Sequence, residues 1–482
     1  MVDYMIGRKK ETAELNKLYD KNSAEFVAIY GRRRVGKTYL VDETFSGRIT
    51  FRHAGLAPED QKDAVGQLKN QLEHFYKSLL LHGMEECEKP KNWFDAFFLL
   101  EKFLQKIDTG TKQLIFIDEL PWLDTPRSSF IQAFEGFWNT WACHRKNLML
   151  VVCGSANSWI LDKLINAHGG LYNRVTYEIK LSPFTLSECE DFYKSNNVKI
   201  SRYDIVQSYM VFGGIPFYLG YVNGEYSLPQ NIDNICFAKN APLRDEYDRL
   251  FASAFENPDY IKAIVNLLGT KNAGYTRAEI LEKLDISDGE TFTKSLKALL
   301  ASDFIVKYYP FGLSKRSVHY KLVDPFCIFY HHFMKEIKTT NEKFWQQNNT
   351  SQSISSWRGF AFENVCFNHV EQCKKALGIS GVVTQTSAWS KRPDDEEGTQ
   401  IDLLIIRDDN VINMCELKFY SGEYEVDKPY YKTLLTRESL LQKMVSPKVV
   451  IRTTLVTTFE LKKNEYSSVF SNVILMDDLF EK

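Results

Sequence analysis

Short apolar runs alternate with helix-length segments over the first 181 residues. The runs at 26–30, 48–53, 114–117, 148–153 and 175–181 each predict a strand. Most of these runs are continuously apolar, which is typical of strands covered on both faces of a parallel sheet. This part of the chain therefore predicts an α/β domain, with helices between the strands.

The pattern changes after residue 181. Residues 182–266 are mostly helical in pattern, with a break at Gly213, Gly214 and Pro216. Two predicted helices at 276–284 and 288–302 precede two predicted strands at 304–309 and 318–322, which is the outline of a winged helix. A polar stretch at 341–356 predicts a linker. The predicted domains are 1–181, 182–270 as a helical lid, 271–325 as the winged helix, 326–356 as the linker and 357–482 as a second α/β unit.

Composition limits the class of protein. Of the 482 residues, 44% are hydrophobic and 25% are charged, as in globular proteins. No apolar run approaches the roughly 18 residues of a spanning helix, so no membrane is expected. The nine cysteines form no CxxC pair, and the first residues do not resemble a signal peptide, which predicts a reducing cytoplasm and no zinc site. A net charge of −2 neither requires nor excludes a nucleic-acid partner.

A glycine-rich loop follows the first predicted strand and matches the pattern GxxxxGK[ST]. Its residues are Gly31, Arg32, Arg33, Arg34, Val35, Gly36, Lys37 and Thr38. Backbone N–H groups of such a loop surround phosphates, the lysine reaches the β/γ oxygens, and the hydroxyl contributes to Mg²⁺. The loop predicts a site for ATP with Mg²⁺. The three arginines either assist anion binding or point into solvent.

Two acids end the strand predicted at 114–117. Asp118 suits the shell of Mg²⁺, and Glu119 suits the polarisation of the attacking water. Asp118 lies 81 residues after Lys37, which leaves room for one intervening strand. Loop and acids together predict that the domain hydrolyses ATP.

Several segments resemble the AAA-related archaeal ATPases grouped with STAND and Cdc6-like proteins, whose core is an ASCE-type parallel sheet. They are MIGRKKE at 5–11, Gly154-Ser155, LYNR at 171–174 and VFGGIP at 211–216. The resemblance implies that Arg8 and Pro216 touch the nucleotide and that Ser155 senses the γ-phosphate. It also implies a finger or sensor role for Arg174.

Three of these segments also have a plainer interpretation. The glycines and Pro216 are also what a simple helix break needs, and Ser155 is also suited to capping a strand end. Arg174 is equally suited to a surface salt bridge. The resemblance and the plainer interpretations both stay open at this stage.

The C-terminal part carries a second set of charged residues. Glu363 lies on a helix predicted from 359 to about 375, Asp402 enters a predicted strand, and Glu416 and Lys418 share one face of the next strand. Carboxylates so arranged bind Mg²⁺, while lysine positions or deprotonates a water. The set resembles the PD-(D/E)xK nuclease core of restriction-endonuclease-like domains, in the form of the DUF234-type domain attached to archaeal ATPases. The alternative is a degenerate fold in which Glu416 merely pairs with Lys418.

The winged helix adds a candidate DNA contact. Lys294 and Lys297 fall on its second helix, and Lys315 and Arg316 fall in its hairpin. Alternatively, this module packs on the ATPase and never meets DNA.

Three functions remain open from the sequence: an ATP-regulated enzyme that processes DNA, a regulatory ATPase switch whose C-terminal domain only binds a partner, and a nucleotide-dependent DNA-binding protein. If Arg174 is a finger acting on a neighbouring subunit, the protein is a homo-oligomer.

Overall fold

The computed structural model describes residues 5–57, 64–166, 169–255, 257–312, 317–335, 341–391 and 399–482. The first elements are helix α1 (Lys9–Tyr19), strand β1 (Glu25–Tyr30), α2 (Lys37–Thr44), β2 (Ile49–Ala54), α3 (Ala64–Leu81), α4 (Trp93–Lys106), β3 (Gln113–Asp118), α5 (Phe130–Thr140), β4 (Leu148–Cys153), α6 (Asn157–Ile160) and β5 (Tyr177–Lys180).

The middle elements are α7 (Leu186–Ser195), α8 (Arg202–Phe212), α9 (Pro216–Leu219), α10 (Leu228–Ile232), α11 (Glu246–Ala254), α12 (Pro258–Leu268), β6 (Tyr275–Thr276), α13 (Arg277–Leu284), α14 (Glu290–Ala301), β7 (Ile305–Tyr308) and β8 (His319–Leu322). The last elements are α15 (Pro325–Phe329), α16 (Phe344–Asn348), α17 (Gln352–Asn368), α18 (Val370–Ala376), β9 (Thr384–Lys391), β10 (Thr399–Arg407), β11 (Val411–Lys418), α19 (Lys428–Gln442), β12 (Val450–Thr457) and β13 (Asn472–Leu475). Short 3₁₀ and π-helical turns join several of them.

The chain forms two compact units. Unit 1 comprises Met1–Ser182, Leu250–Pro258 and Glu290–Ser302, and unit 2 comprises Pro183–Arg249, Asp259–Gly289 and Asp303–Lys482. Helix α14 therefore belongs to unit 1, although the elements on either side of it in the chain belong to unit 2.

Unit 1 is built on a five-stranded sheet in the order β2-β3-β4-β1-β5. All neighbouring strands are parallel. Every residue of β1, β3 and β4 is buried, because helices cover both faces. The structure thus confirms the predicted parallel α/β sheet, and the strand bounds differ from the predicted ones by no more than two residues.

One face of this sheet packs on an aromatic layer. Phe26, Ile115 and Leu150 point from the sheet into a core that also contains Trp93 of α4 and Phe130 of α5. The rings of Trp93 and Phe130 meet edge to face, with centroids 5.0 Å apart. This packing holds the carboxyl ends of β1, β3 and β4 at one edge of the sheet.

Within unit 2 the predicted helix break is present. Helix α8 ends at Phe212, Gly213 takes the left-handed backbone conformation with φ of 62°, and α9 begins at Pro216. Gly214 lies so close to the backbone that an added Cβ would be 1.9 Å from the carbonyl oxygen of Phe184. Only glycine fits there.

Residues 341–356 differ from the predicted linker. They contain α16 and the start of α17, and Trp345 is buried against Trp357, with ring centroids 5.6 Å apart. The Asp233 carboxylate accepts hydrogen bonds from the N–H groups of Trp345 (2.7 Å) and Gln346 (3.0 Å). The surrounding Asn, Gln and Ser residues hide these few apolar anchors, so the sequence shows no clear periodicity.

The C-terminal part of unit 2 has its own five-stranded sheet, in the order β13-β12-β11-β10-β9. Strands β9, β10 and β11 are antiparallel neighbours, whereas β12 is parallel to both β11 and β13. Helix α19 is the crossover from β11 to β12. The helix predicted from 359 begins earlier, at Gln352, and ends at Asn368, where α18 follows.

Helices α17 and α19 cover opposite faces of β11. Phe362 of α17 contacts Phe419 just after the strand, whereas Arg437 of α19 contacts Glu416. Side chains of odd and even number point to opposite faces of a strand. None of the helices in the described ranges is both long enough and apolar enough to span a membrane.

Candidate functional site

The glycine-rich loop lies at the carboxyl end of β1. Gly31 has φ of 144°, and an added Cβ would be 2.2 Å from the carbonyl oxygen of Leu181. Gly36 has φ of 92° and precedes the first turn of α2. Both backbone conformations favour glycine. The two glycines therefore allow the loop to curl over the start of the helix.

Lys37 is directed into this loop. Its Nζ donates to the carbonyl oxygens of Gly31 (3.0 Å) and Arg32 (3.1 Å). Burial lowers the pKa of Lys37, although the nearby Glu119 carboxylate opposes the shift. A cation held among backbone carbonyls is positioned to exchange them for phosphate oxygens.

Thr38 and Asp118 meet at the end of β3. The Thr38 hydroxyl donates to Asp118 Oδ2 at 2.7 Å, and the Cys153 thiol donates to Asp118 Oδ1, also at 2.7 Å. The loop and the strand-end acid predicted from the sequence thus lie in contact. Hydroxyl and carboxylate oxygens are the ligands that Mg²⁺ prefers, so this pair fits that ion.

Glu119 is held by the next strand of the sheet. Its Oε2 accepts hydrogen bonds from the Ser155 N–H (2.9 Å) and the Ser155 hydroxyl (3.0 Å). Glu119 has φ of 45°, an uncommon backbone conformation for a residue other than glycine. Burial raises the pKa of Glu119, while Lys37 and the Ser155 N–H oppose the rise. Ser155 therefore contacts the predicted water-polarising acid directly.

The part of the chain that contains this site resembles a known protein family. Residues 5–222 match the model of an ATPase domain found predominantly in Archaea, and this range includes the loop and both acids. The protein is an ATPase. Its nucleotide is ATP.

Known proteins resemble the chain over most of its length. An uncharacterized protein of Methanocaldococcus jannaschii is 26% identical over 444 residues, which is 90% of this chain and 92% of the relative. Among solved structures, the Walker-type ATPase of Pyrococcus abyssi matches 68% of this chain and 96% of its own, with 16% identity and a TM-score of 0.47. The ORC2 protein of Aeropyrum pernix matches 70% and 95%, with 12% identity and a TM-score of 0.41. The similarity to the M. jannaschii relative therefore extends beyond residues 5–222, which match the ATPase-domain model.

Two arginines of the ATPase domain are buried. Arg8 Nη2 donates to the carbonyl oxygens of Ser182 (2.7 Å) and Val35 (3.3 Å). Arg32 is completely buried, so it does not point into solvent, whereas Arg33 and Arg34 are half-buried. Arg8 thus contacts the phosphate loop through a backbone carbonyl.

Two predicted nucleotide contacts stay predictions. Arg174 is exposed, and among the described residues no acidic side chain pairs with it. Pro216 opens α9 in unit 2. The helix break is present, while a contact between Pro216 and ATP is untested.

The ATPase site also contains residues that the sequence did not single out. Cys153 contacts Asp118, and Asn157 Oδ1 accepts a hydrogen bond from the Gly31 N–H at 2.8 Å. Both lie in the run CGSAN, which begins at Cys153, the last residue of β4, and includes the predicted Ser155. The polar run at the end of this buried strand was the sequence feature that could have identified Cys153 and Asn157.

In the C-terminal part of unit 2, Glu416 is the centre of a hydrogen-bonded cluster. Its Oε1 accepts from Lys418 Nζ (2.9 Å) and from the Tyr430 hydroxyl, and its Oε2 accepts from Arg437 Nη1 (2.8 Å). Tyr430 and Arg437 lie seven residues apart on one face of α19, and the sequence did not single them out. The predicted pairing of Glu416 with Lys418 is present.

Lys418 is a cation in this cluster. Burial alone lowers the pKa of Lys418, but the Glu416 carboxylate overrides that effect, and the pKa lies above the ordinary lysine value. A protonated amine donates hydrogen bonds and cannot accept a proton. Of the two roles predicted for this lysine, the geometry favours positioning over deprotonation.

The other two predicted acids are Glu363, on helix α17, and Asp402, on strand β10. Glu363 accepts a hydrogen bond from Asn272 Nδ2 at 2.6 Å and lines the same 860 Å³ cavity as Lys418, which Tyr203, Arg358 and Phe419 also line. Asp402 lies on β10, one residue before the Leu403–Cys415 pair, so its backbone is beside that of Glu416. The Asp402 side chain lies outside the described residues. Within the described residues, no three His, Cys, Asp or Glu side chains are arranged to hold a metal ion.

Proposed function

We propose that the protein is a Mg²⁺-dependent ATPase coupled to a C-terminal unit that cleaves DNA. The contact between Thr38 and Asp118 carries the Mg²⁺ part of this proposal, because it joins two hard oxygen ligands at the phosphate loop. Bound there, Mg²⁺ supplies positive charge to the β- and γ-phosphates. Lys37 neutralises further phosphate charge by exchanging its two backbone carbonyls for phosphate oxygens.

Glu119 supplies the remaining function of the site. An ionised carboxylate beside the γ-phosphate orients water for in-line attack. Two hydrogen bonds from Ser155 occupy Glu119 Oε2, while no described side chain or backbone group donates a hydrogen bond to Oε1. Ser155 thus fixes the carboxylate, and Oε1 is the oxygen that accepts the hydrogen bond from water.

For the C-terminal unit, the order of elements is the supporting observation. Two helices, three antiparallel strands, a crossover helix and a parallel strand follow one another as α17, α18, β9, β10, β11, α19 and β12. This order supports a PD-(D/E)xK core, in which Asp402 on β10 and Glu416 and Lys418 on the adjacent β11 would form the metal site. Carboxylates from adjacent strands bind divalent ions that activate water against a phosphodiester.

The helix–helix–hairpin segment offers the DNA contact. The three-stranded sheet β6-β8-β7 and helix α13 support a winged helix, and Lys294 and Lys297 are exposed on α14. Lys294 forms an ion pair with Glu290 at 2.7 Å, which reduces its charge toward phosphate. Lys315 and Arg316 of the hairpin lie outside the described residues. A role of Arg174 on a neighbouring subunit, and hence a homo-oligomer, remains part of the proposal.

Cleavage of DNA tests the proposal directly. The substrates are plasmid and single-stranded DNA with Mg²⁺ or Mn²⁺, with and without ATP. We expect wild type to cut and Asp402→Ala to lose cutting, with ATP turnover unchanged. Asp409→Ala is the matched control, because Asp409 is an exposed aspartate in the turn after the same strand. Cutting that survives in Asp402→Ala would reject the assigned metal site.

The cluster around Glu416 favours a second function. Lys418, Arg437 and Tyr430 occupy both oxygens of that carboxylate, and a metal ion must displace at least one of them. A Glu416 carboxylate with both oxygens occupied by protein side chains favours a C-terminal domain that binds a partner and does not cleave DNA. In that function the ATPase is a regulatory switch, and no divalent ion supports cutting under any condition.

A further inference from the structure

Asn157 forms hydrogen bonds in two directions from the start of α6. Its Oδ1 accepts from the Gly31 N–H at 2.8 Å, and its Nδ2 donates to the Ser302 hydroxyl at 2.8 Å. Asn157 is 2% exposed and Ser302 is 3% exposed. One buried amide therefore links the phosphate loop to the residue that follows α14, and all three residues lie in unit 1.

The orientation of this amide is fixed by its partners. A backbone N–H only donates, so Gly31 must face the amide oxygen. The Ser302 hydroxyl donates to the carbonyl oxygen of Ala298 at 2.8 Å, so it must accept from the amide nitrogen. A flipped amide would lose the hydrogen bond from Gly31, and it could bond to Ser302 only if that hydroxyl gave up its bond to Ala298.

At the phosphate loop, Gly31 has little space to move independently of Leu181. Gly31 lies against the carbonyl of Leu181, with no room for a Cβ. A shift of the Gly31 N–H on phosphate binding would change its hydrogen bond to Asn157. The planar amide carries that change to Ser302, because its oxygen and nitrogen are attached to the same rigid group.

The helix end is fixed by packing. Phe292, Leu296 and Leu299 form the buried face of α14, and α14 packs on α6. Lys294 and Lys297 lie on its exposed face. A change in the hydrogen bond between Asn157 and Ser302 therefore affects α14, the helix that carries these two lysines.

We propose that Asn157 is a positioning residue of the ATPase site that couples the phosphate loop to α14, so that ATP binding tightens the attachment of this helix. The proposal goes beyond ATP hydrolysis and does not depend on nuclease activity. A purely structural link would stabilise the fold equally with and without nucleotide.

Hydrogen exchange of the full chain, measured by mass spectrometry with and without a non-hydrolysable ATP analogue, tests the coupling. In wild type we expect the α14 amides to exchange at least about threefold more slowly with the analogue. Ser302→Ala removes only the helix end of the link. We expect it to bind the analogue within about twofold of wild type and to lose the α14 response.

Asn157→Ala removes both ends. We expect its KM for ATP to rise about tenfold, because the Gly31 N–H loses its partner, while kcat stays within about threefold. Its α14 response should also be lost. Ser128→Ala is the control, since it removes a buried hydroxyl of the same unit that lies outside the link and should behave as wild type.

Two results would overturn the coupling. One is an α14 exchange rate in wild type that the analogue leaves unchanged. The other is a Ser302→Ala protein whose α14 response equals that of wild type. If Asn157→Ala fails to fold, Ser302→Ala alone still decides, because it leaves the hydrogen bond to Gly31 in place.

Discussion

Glu119 is a residue of unusual geometry beside the phosphate loop. Glu119 combines a left-handed backbone conformation, burial and two hydrogen bonds from Ser155. Strained backbone conformations persist where the surrounding structure enforces them, and they are enriched at functional sites. The strain at Glu119 turns its carboxylate from the end of β3 toward Ser155, at the end of β4.

The pKa of Glu119 gives a prediction for the pH dependence of turnover. Burial raises that pKa above the ordinary glutamate value of 4.5. The role proposed for this carboxylate in orienting water requires its ionised form, so kcat should fall with decreasing pH at values above 4.5. Phosphate release measured from pH 8 downward, with nucleotide binding measured in parallel, checks this. A kcat that stays constant down to the ordinary glutamate range would contradict it.

The sequence predicted those site residues that follow a local pattern. Lys37 and Thr38 belong to a contiguous motif, and Asp118 ends an apolar run, so neighbours in the chain identify them. Asn157 acts through partners more than 120 residues away in either direction, at Gly31 and Ser302. Arg437 acts through Glu416 across a strand–helix contact. Such pairings depend on the fold, and no local pattern marks them.

Elements with continuous apolar runs were predicted well, and those with sparse anchors were not. Strand β4 has the predicted bounds, because six consecutive apolar residues leave no other interpretation. Helix α16 was missed because Trp345 is its only fully buried side chain. A strand buried on both faces, such as β4, has a recognisable run of apolar residues. A helix such as α16, with one buried tryptophan among polar residues, has no such pattern.

Two glycines give opposite predictions for the stability of their elements. Gly136 lies inside α5 with nothing within 4 Å of an added Cβ, so Gly136→Ala should stabilise the protein by about 0.5–1 kcal/mol. At Gly214 an added Cβ would be 1.9 Å from a carbonyl oxygen, so Gly214→Ala should destabilise it by about 2 kcal/mol or more. Urea unfolding of both variants checks the signs. Stabilisation by Gly214→Ala would contradict the close approach to Phe184.

On the scale of the whole molecule, the chain joins an ATPase domain to a second unit with its own sheet. Helix α14 belongs to unit 1, whereas chain order alone groups it with the predicted winged helix. Sequence patterns assign a segment to its neighbours in the chain. Packing assigns it to whichever core buries its apolar face, and this could not be predicted.

Acid should destabilise the whole molecule through buried histidines. Burial lowers the pKa of His53 from 6.5 to about 3, and the nearby His74 and His82 add to the shift. Below pH 6.5 the unfolded chain binds a proton that folded His53 does not. The free energy of unfolding therefore falls by up to about 1.4 kcal/mol per pH unit from this one group, until the folded pKa is reached.

Denaturant unfolding between pH 7 and pH 4 measures this slope. His53→Gln should reduce it, because the variant has no group to protonate at this position. His144→Gln, which replaces an exposed histidine, should leave the slope unchanged. Equal slopes for His53→Gln and wild type would show that other groups carry the acid sensitivity.

The central claim is that Lys37, Thr38, Asp118 and Glu119 form a Mg²⁺-dependent site of ATP hydrolysis. Phosphate release and ATP binding by wild type, Lys37→Ala and Glu119→Gln, each with Mg²⁺ and with EDTA, test it most directly. We expect wild type to release phosphate only with Mg²⁺, Lys37→Ala to lose binding, and Glu119→Gln to bind ATP normally while turnover falls about 100-fold or more. Normal turnover in Glu119→Gln would contradict the role assigned to this carboxylate, and turnover in EDTA would contradict the metal.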